Sequence, residues 1–208
     1  LVFSSSAAVY GDEPNFPKKE ESIIRPLTPY AIDKFAAERY VLNEYHLHGV
    51  PTSAVRFFNV YGPNQNPASP YSGVLSILMD RYIQLEQGQA SQFQIFGDGQ
   101  QTRDFIYIED VLTALNLVAT KSEALGHVYN VGTEVAISLN QLIEEMNQLR
   151  NFLDKDQKFL WWAITGQAGA GKSRLALEFL KRSTGSWFGF FINDKATQED
   201  FDSFEPFN

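Results

Sequence analysis

Apolar and polar positions shift between strand-like and helix-like periods along the first 150 residues. Leu1-Val2-Phe3 reads as the end of a buried strand running into three serines. Asp12 to Pro26 is polar and broken by proline, so a loop is expected there. At Thr28-Pro29 a threonine able to cap precedes a proline suited to the first helical position. The helix it starts is expected to reach about His48 and stop at Gly49. Thr52 to Tyr61 is β-branched and aromatic, ends at Gly62-Pro63, and predicts one strand. Val74 to about Gln87 predicts a helix, Phe93 to Phe96 a short strand, and Asp104 to Ile108 another. Asp110 to about Ser122 predicts a helix with Leu112, Leu115 and Ala119 near helical spacing. Val128 to Val131 predicts a strand, and Ser138 with Gln141 a capping box for a helix to about Leu149.

The chain then changes character. Arg150 to Lys158 is charged and linker-like, and Phe159 to Thr165 is a buried-strand pattern. Gly166-Gln-Ala-Gly169-Ala-Gly171-Lys172-Ser173 comes next, and an amphipathic helix is expected after it to about Arg182. This is the spacing of a phosphate-binding Walker A loop, in the strand–loop–helix context that such a loop needs. Backbone N–H groups would cradle phosphate, Lys172 would reach the β- and γ-phosphates, and Ser173 would ligate Mg²⁺ with the nucleotide. ATP with Mg is therefore an expected ligand. Trp161 and Trp162 are expected in a core rather than on a base.

A formal charge of -8 argues against a general nucleic-acid binder. With no cysteine, disulfide and thiolate chemistry are excluded, in keeping with an expected cytoplasmic location. The sequence has no run of about 20 apolar residues such as a membrane-spanning helix needs. His46, His48 and His127 have no evident metal-ligand partners in the sequence.

The densest chemistry is Tyr30-Ala-Ile-Asp-Lys34. A spacing of four puts both side chains on one helix face, where an ammonium can lower a phenol pKa and prepare it for proton transfer. Five motifs occur in order: Phe3 to Gly11, Pro29 to Lys34, Arg56-Phe-Phe-Asn-Val-Tyr-Gly-Pro63, Gly97 to Asp110, and Tyr129-Asn-Val-Gly132. Together they resemble the extended short-chain dehydrogenase/reductase family, especially its nucleotide-sugar 4-epimerases. The resemblance covers residues 1–150. It implies an α/β fold with a partial Rossmann-like portion, truncated at both ends; after a 151–158 junction, residues 159–208 separately resemble a partial P-loop NTPase β-α-β unit.

The resemblance also implies roles. Tyr30 would be the general base at the sugar 4-hydroxyl, Lys34 would hold Tyr30 towards phenolate and bind the nicotinamide ribose, and Ser6 would hydrogen-bond the sugar oxygen. Phe58 would lie against the nicotinamide, while Asn59 and Arg103 would bind the nucleotide diphosphate. NAD would be a bound cofactor and a UDP- or other nucleotide sugar the substrate. Dehydratases of the family resemble this chain but place an Asp-Glu pair after the serine, where it has Ala7 and Ala8. That favours C4 epimerisation, with 4-ketoreduction as the alternative. Ser4 and Ser5 could be turn residues, and Arg103 a surface residue of a hairpin. Tyr45, Tyr61 and Tyr107 are expected in the core.

A glycine-rich dinucleotide loop is missing from the expected strand–turn–helix context in the sequence. A chain beginning on a strand end and joining two partial domains is expected to be a fragment or misassembled frame. A nucleotide-binding regulatory module working through the P-loop, or an inactive fragment, are the rival readings. A homodimer is a further expectation from the resemblance.

Overall fold

The computed structural model describes residues 1–69, 72–89 and 92–153. In chain order the elements are β1 (Val2–Ser6), a 3-10 turn (Ala7–Tyr10), α1 (Pro29–His48), β2 (Ser53–Phe57), β3 (Asn59–Tyr61) and α2 (Val74–Glu86). After these come β4 (Thr102–Arg103), β5 (Phe105–Tyr107), α3 (Ile108–Thr120), β6 (Val128–Val131), β7 (Ile137–Ser138) and α4 (Leu139–Leu153). The P-loop segment, its junction and residues Gly166, Gly169, Gly171, Lys172 and Ser173 lie outside the described residues. The chain divides into two compact units, Leu1–Leu142 and Ile143–Asn208.

The first unit is built on the sheet β1-β2-β6, all parallel. A parallel neighbour needs a crossover, and α1 supplies it between β1 and β2. Ser5, Arg56 and Asn130 stand in one row across the three strands, one residue short of their common carboxyl end at Ser6, Phe57 and Val131. Such an end is where open α/β sheets bind ligands. On one face, Val55 and Val131 pack with Val111 and Val118 of α3 and with Ile106. On the other face α1 covers Ser5 and Arg56, while Asn130 is met by Tyr10 and by Lys18 and Glu20 of the loop before α1.

The limits of α1 follow from local chemistry. Thr28 Oγ1 accepts from the Ala31 N–H at 3.2 Å, and Pro29 opens the helix. Gly49 closes it at φ 68, with its N–H on the Tyr45 carbonyl. Of its side chains Ala31, Glu38 and Leu42 are buried, so the covered face is not an apolar stripe. The capping box at α4 forms as expected: Ser138 Oγ accepts from the Gln141 N–H, and Gln141 Oε1 accepts from the Ser138 N–H.

Several expectations are corrected. Thr52 to Tyr61 is two strands, because the pairing partner changes at Phe58. The Phe58 N–H donates to Val131 of β6, while the Asn59 N–H donates to Asp104 beside β5. Phe93 to Phe96 is not a strand; Phe93 and Phe96 line a cleft instead. Leu112 is 56% exposed. The helix begins earlier than expected and turns Val111, Leu115 and Val118 towards the sheet. Ser4 and Ser5 are strand residues rather than turn residues, and Ser5 is buried. Tyr107 is buried, whereas Tyr45 and Tyr61 are half-buried. Among the described residues no helix is long and apolar enough to cross a membrane.

Candidate active site

Tyr30 and Lys34 stand one turn apart at the start of α1. Lys34 Nζ lies 5.8 Å from the Tyr30 ring centroid and 5.3 Å from that of Phe3. It donates to the Ser4 carbonyl of β1 at 2.8 Å. An ammonium carries three donors, so this bond leaves others for a ligand. Tyr30 is 55% exposed, and its phenol can be reached from solvent.

Ser6 ends β1 and caps the 3-10 turn, its Oγ accepting from the Ala8 N–H at 3.2 Å. With a lone pair so engaged, the hydroxyl proton can be given elsewhere. Ala7 and Ala8 fill the first positions of that turn with methyl groups.

Asn59 opens β3 opposite Phe105 of β5, Phe58 lies just before it, and Arg103 belongs to β4, opposite Ile137 of β7. The Phe58 ring lies so close to Gly132 that an added Cβ there would sit 3.0 Å from it. Asn59 uses both its backbone N–H and Nδ2 on the Asp104 carbonyl, at 2.9 and 3.0 Å. The Asp104 carboxyl group accepts from the backbone N–H groups of Thr133 and Glu134 and from Thr133 Oγ1. Asp104 thus binds the loop after β6 to the start of β3. Arg103 is exposed and lines a cleft of ≈ 680 Å³ with Arg81, Phe93, Phe96 and Phe105.

Sequence reasoning missed the polar group beneath the site. Glu38 lies two turns beyond Tyr30 on the same helix face and is fully buried. It pairs with Arg56 through two hydrogen bonds, 2.9 Å from Nε and 2.6 Å from Nη2, and accepts from Ser5 Oγ at 2.7 Å. Arg56 Nη1 donates to the Tyr10 hydroxyl, which donates to Asn130 Oδ1, both at 2.7 Å. Asn130 in turn donates to the Glu20 side chain and the Lys18 carbonyl. Burial pulls the Arg56 guanidinium pKa down, but the hydrogen bonds it donates to Glu38 and Tyr10, with the charge attraction of both, outweigh burial and the pKa is raised. Burial also pushes the Tyr10 phenol up, against the pull of Arg56. In the loop above, Lys18 binds Glu13 at 2.6 Å and holds its carboxyl below the usual glutamate range. The signal available in the sequence was a row of strand positions, Ser5, Arg56 and Asn130, that are polar where a two-sided sheet should be apolar.

The chain as a whole is similar to known proteins. The sequence model of the NAD dependent epimerase/dehydratase family matches residues 1–132. The chain belongs to that family. It is 35% identical over 139 residues to a UDP-glucose 4-epimerase of Mycolicibacterium smegmatis, covering 67% of this chain and 42% of that protein. It is 34% identical over 149 residues to the dTDP-D-glucose 4,6-dehydratase of Mus musculus, covering 72% and 39%. Among solved structures, a UDP-N-acetylglucosamine 4-epimerase from Methanobrevibacter ruminantium M1, in complex with UDP-N-acetylmuramic acid, superposes with a TM-score of 0.64. It is 35% identical, and the match covers 74% of this chain and 47% of that one. The chain spans less than half the length of these relatives.

Membership implies use of NAD. Of the described residues, Lys34 has donors to spare at the sheet's carboxyl end, and the Phe58 ring packs by Gly132 beside the Asp104 carboxyl group.

Proposed function

We propose that this chain carries the proton-transfer part of a nucleotide-sugar 4-epimerase. The observation that carries the reading is Lys34 Nζ, fixed on the Ser4 carbonyl and 5.8 Å from the Tyr30 ring centroid, at the carboxyl end of a parallel sheet. Tyr30 takes the proton of the sugar 4-hydroxyl and later returns it. Lys34 stabilises the phenolate charge while the proton is away. Ser6 donates to the same sugar oxygen and orients it. Lys34 and Phe58 would hold NAD, which when bound would supply hydride acceptance and return at C4. Ala7 and Ala8 offer no acid or base for eliminating water, which supports epimerisation over the dehydration performed by the mouse relative.

The cleft suits a nucleoside diphosphate. Phe93, Phe96 and Phe105 offer apolar and stacking surface, and Arg103 a guanidinium fork for phosphate. Arg103→Ala is expected to raise KM about tenfold to a hundredfold and to change kcat far less, since a hydrogen bond to a charged group contributes about 1.5–3 kcal/mol. Steady-state kinetics over a range of nucleotide-sugar concentrations checks it.

The test of the whole reading is incubation of the purified chain with NAD and UDP-glucose, with C4 inversion followed by proton NMR. Inversion without net change in reduced nicotinamide supports an epimerase; net consumption of reduced cofactor would instead support a 4-ketoreductase. No inversion and no NAD binding by a folded chain would sink both.

The motif Gly166 to Ser173 supports a second activity, nucleotide binding with Lys172 on the phosphates and Ser173 on Mg²⁺. Lys172→Ala should abolish ATP binding in titration calorimetry and leave NAD binding unchanged. Equal ATP binding in both proteins would remove the P-loop reading.

A further inference from the structure

Lys34 and Glu38 are neighbours on one face of α1, and each is tied to β1. Lys34 Nζ holds the Ser4 carbonyl, and Glu38 Oε2 holds the hydroxyl of the next residue, Ser5. Ser5 stands opposite Arg56 in the parallel register, and Arg56 grips both oxygens of the same carboxyl group. Glu38 is therefore fastened to two adjacent strands at once, with no exposure to solvent. A bidentate guanidinium has a fixed planar geometry, so it sets direction as well as distance. Tyr30, Lys34 and Glu38 succeed each other at four-residue intervals, so rotating or lifting α1 at Glu38 would move all three.

We propose that Ser5, Glu38 and Arg56 are positioning residues for Tyr30 and Lys34, fixing the rotation and height of α1 on β1. None of the three touches the reacting atoms in this scheme. The role rests on the proposed proton transfer at Tyr30. It adds that the site's geometry is set from below the sheet's end, by a polar clamp in place of apolar packing.

The test uses the whole chain and three variants. Ser5→Ala removes one tie and keeps the ion pair. Glu38→Gln removes the charge. Val118→Ala is a control, a core truncation in α3 on the opposite face of the sheet. Lys34 is probed by reductive methylation under native conditions, with the exposed Lys19 as internal reference. In Ser5→Ala the ratio of Lys34 to Lys19 modification is expected to rise about fivefold, the factor that loss of one typical hydrogen bond corresponds to. In Val118→Ala the ratio should stay at the unaltered value. In parallel, kcat per folded molecule should fall in Ser5→Ala with KM little changed.

A Lys34 ratio equal in Ser5→Ala, Glu38→Gln and Val118→Ala overturns the proposal, whatever the activity. So does an unchanged kcat in Ser5→Ala when the unaltered chain is active. A raised Lys34 ratio in a chain that turns over no nucleotide sugar supports the positioning of Lys34 and overturns the proposed function instead.

Discussion

Tyr30→Phe should lower kcat for C4 inversion by about 10²–10⁴, the usual contribution of a positioned acid–base group. KM should change little, because the ring remains and only the proton-transferring oxygen is lost. Stability should be nearly unaffected, since Tyr30 is 55% exposed. Urea unfolding of both proteins, with kcat measured on the same samples, separates the two effects. A variant that keeps more than a tenth of the activity would show that the proton goes elsewhere. A variant that loses activity together with its unfolding transition would show a structural role that the exposure of Tyr30 does not suggest.

Glu38→Gln should destabilise the fold by about 3–5 kcal/mol, read as a lower urea midpoint with an unchanged slope. The amide keeps the shape of the side chain but leaves the Arg56 guanidinium buried without its counter-charge. The penalty comes from that stranded charge more than from the bond removed. Replacing both partners by apolar residues, Glu38→Leu with Arg56→Met, should therefore cost less than the sum of the single changes. Additive costs would mean that the two side chains act independently, against their 2.6 Å contact. The double variant also serves the positioning proposal: a stable apolar replacement that has lost kcat would show that the pair sets geometry beyond supplying stability.

Much of the fold could be read locally. Thr28, Pro29 and Gly49 bound α1 through caps that involve only near neighbours, and Ser138 with Gln141 does the same at α4. Residues Val128 to Val131 gave their strand through β-branched and aromatic content. Reading failed where an element's fate depended on a distant partner. No local signal marks Phe58 as the point where pairing passes from β6 to β5, because Val131 and Asp104 decide it. Phe93 and Phe96 have strand composition yet line a cleft. Leu112 had the right spacing for a buried stripe, but the face that packs on the sheet is that of Val111, Leu115 and Val118.

The site divides in the same way. The spacing of Tyr30 and Lys34 fixes their common face, because helix geometry is set by sequence separation alone. The serine run, Ala7 and Ala8, and the five ordered motifs carried the family, and the match over residues 1–132 agrees with it. The clamp under the site was not legible. Glu38 looks like an ordinary surface glutamate of a helix, and Arg56 like a charge in a strand. Only the parallel register puts Ser5 and Arg56 side by side, and only the packing of α1 brings Glu38 onto both. A charge is tolerated in a buried place when its partners arrive from elsewhere in the chain. Here they come from β1 and β2, 33 and 18 residues away in sequence, and that meeting belongs to the tertiary structure.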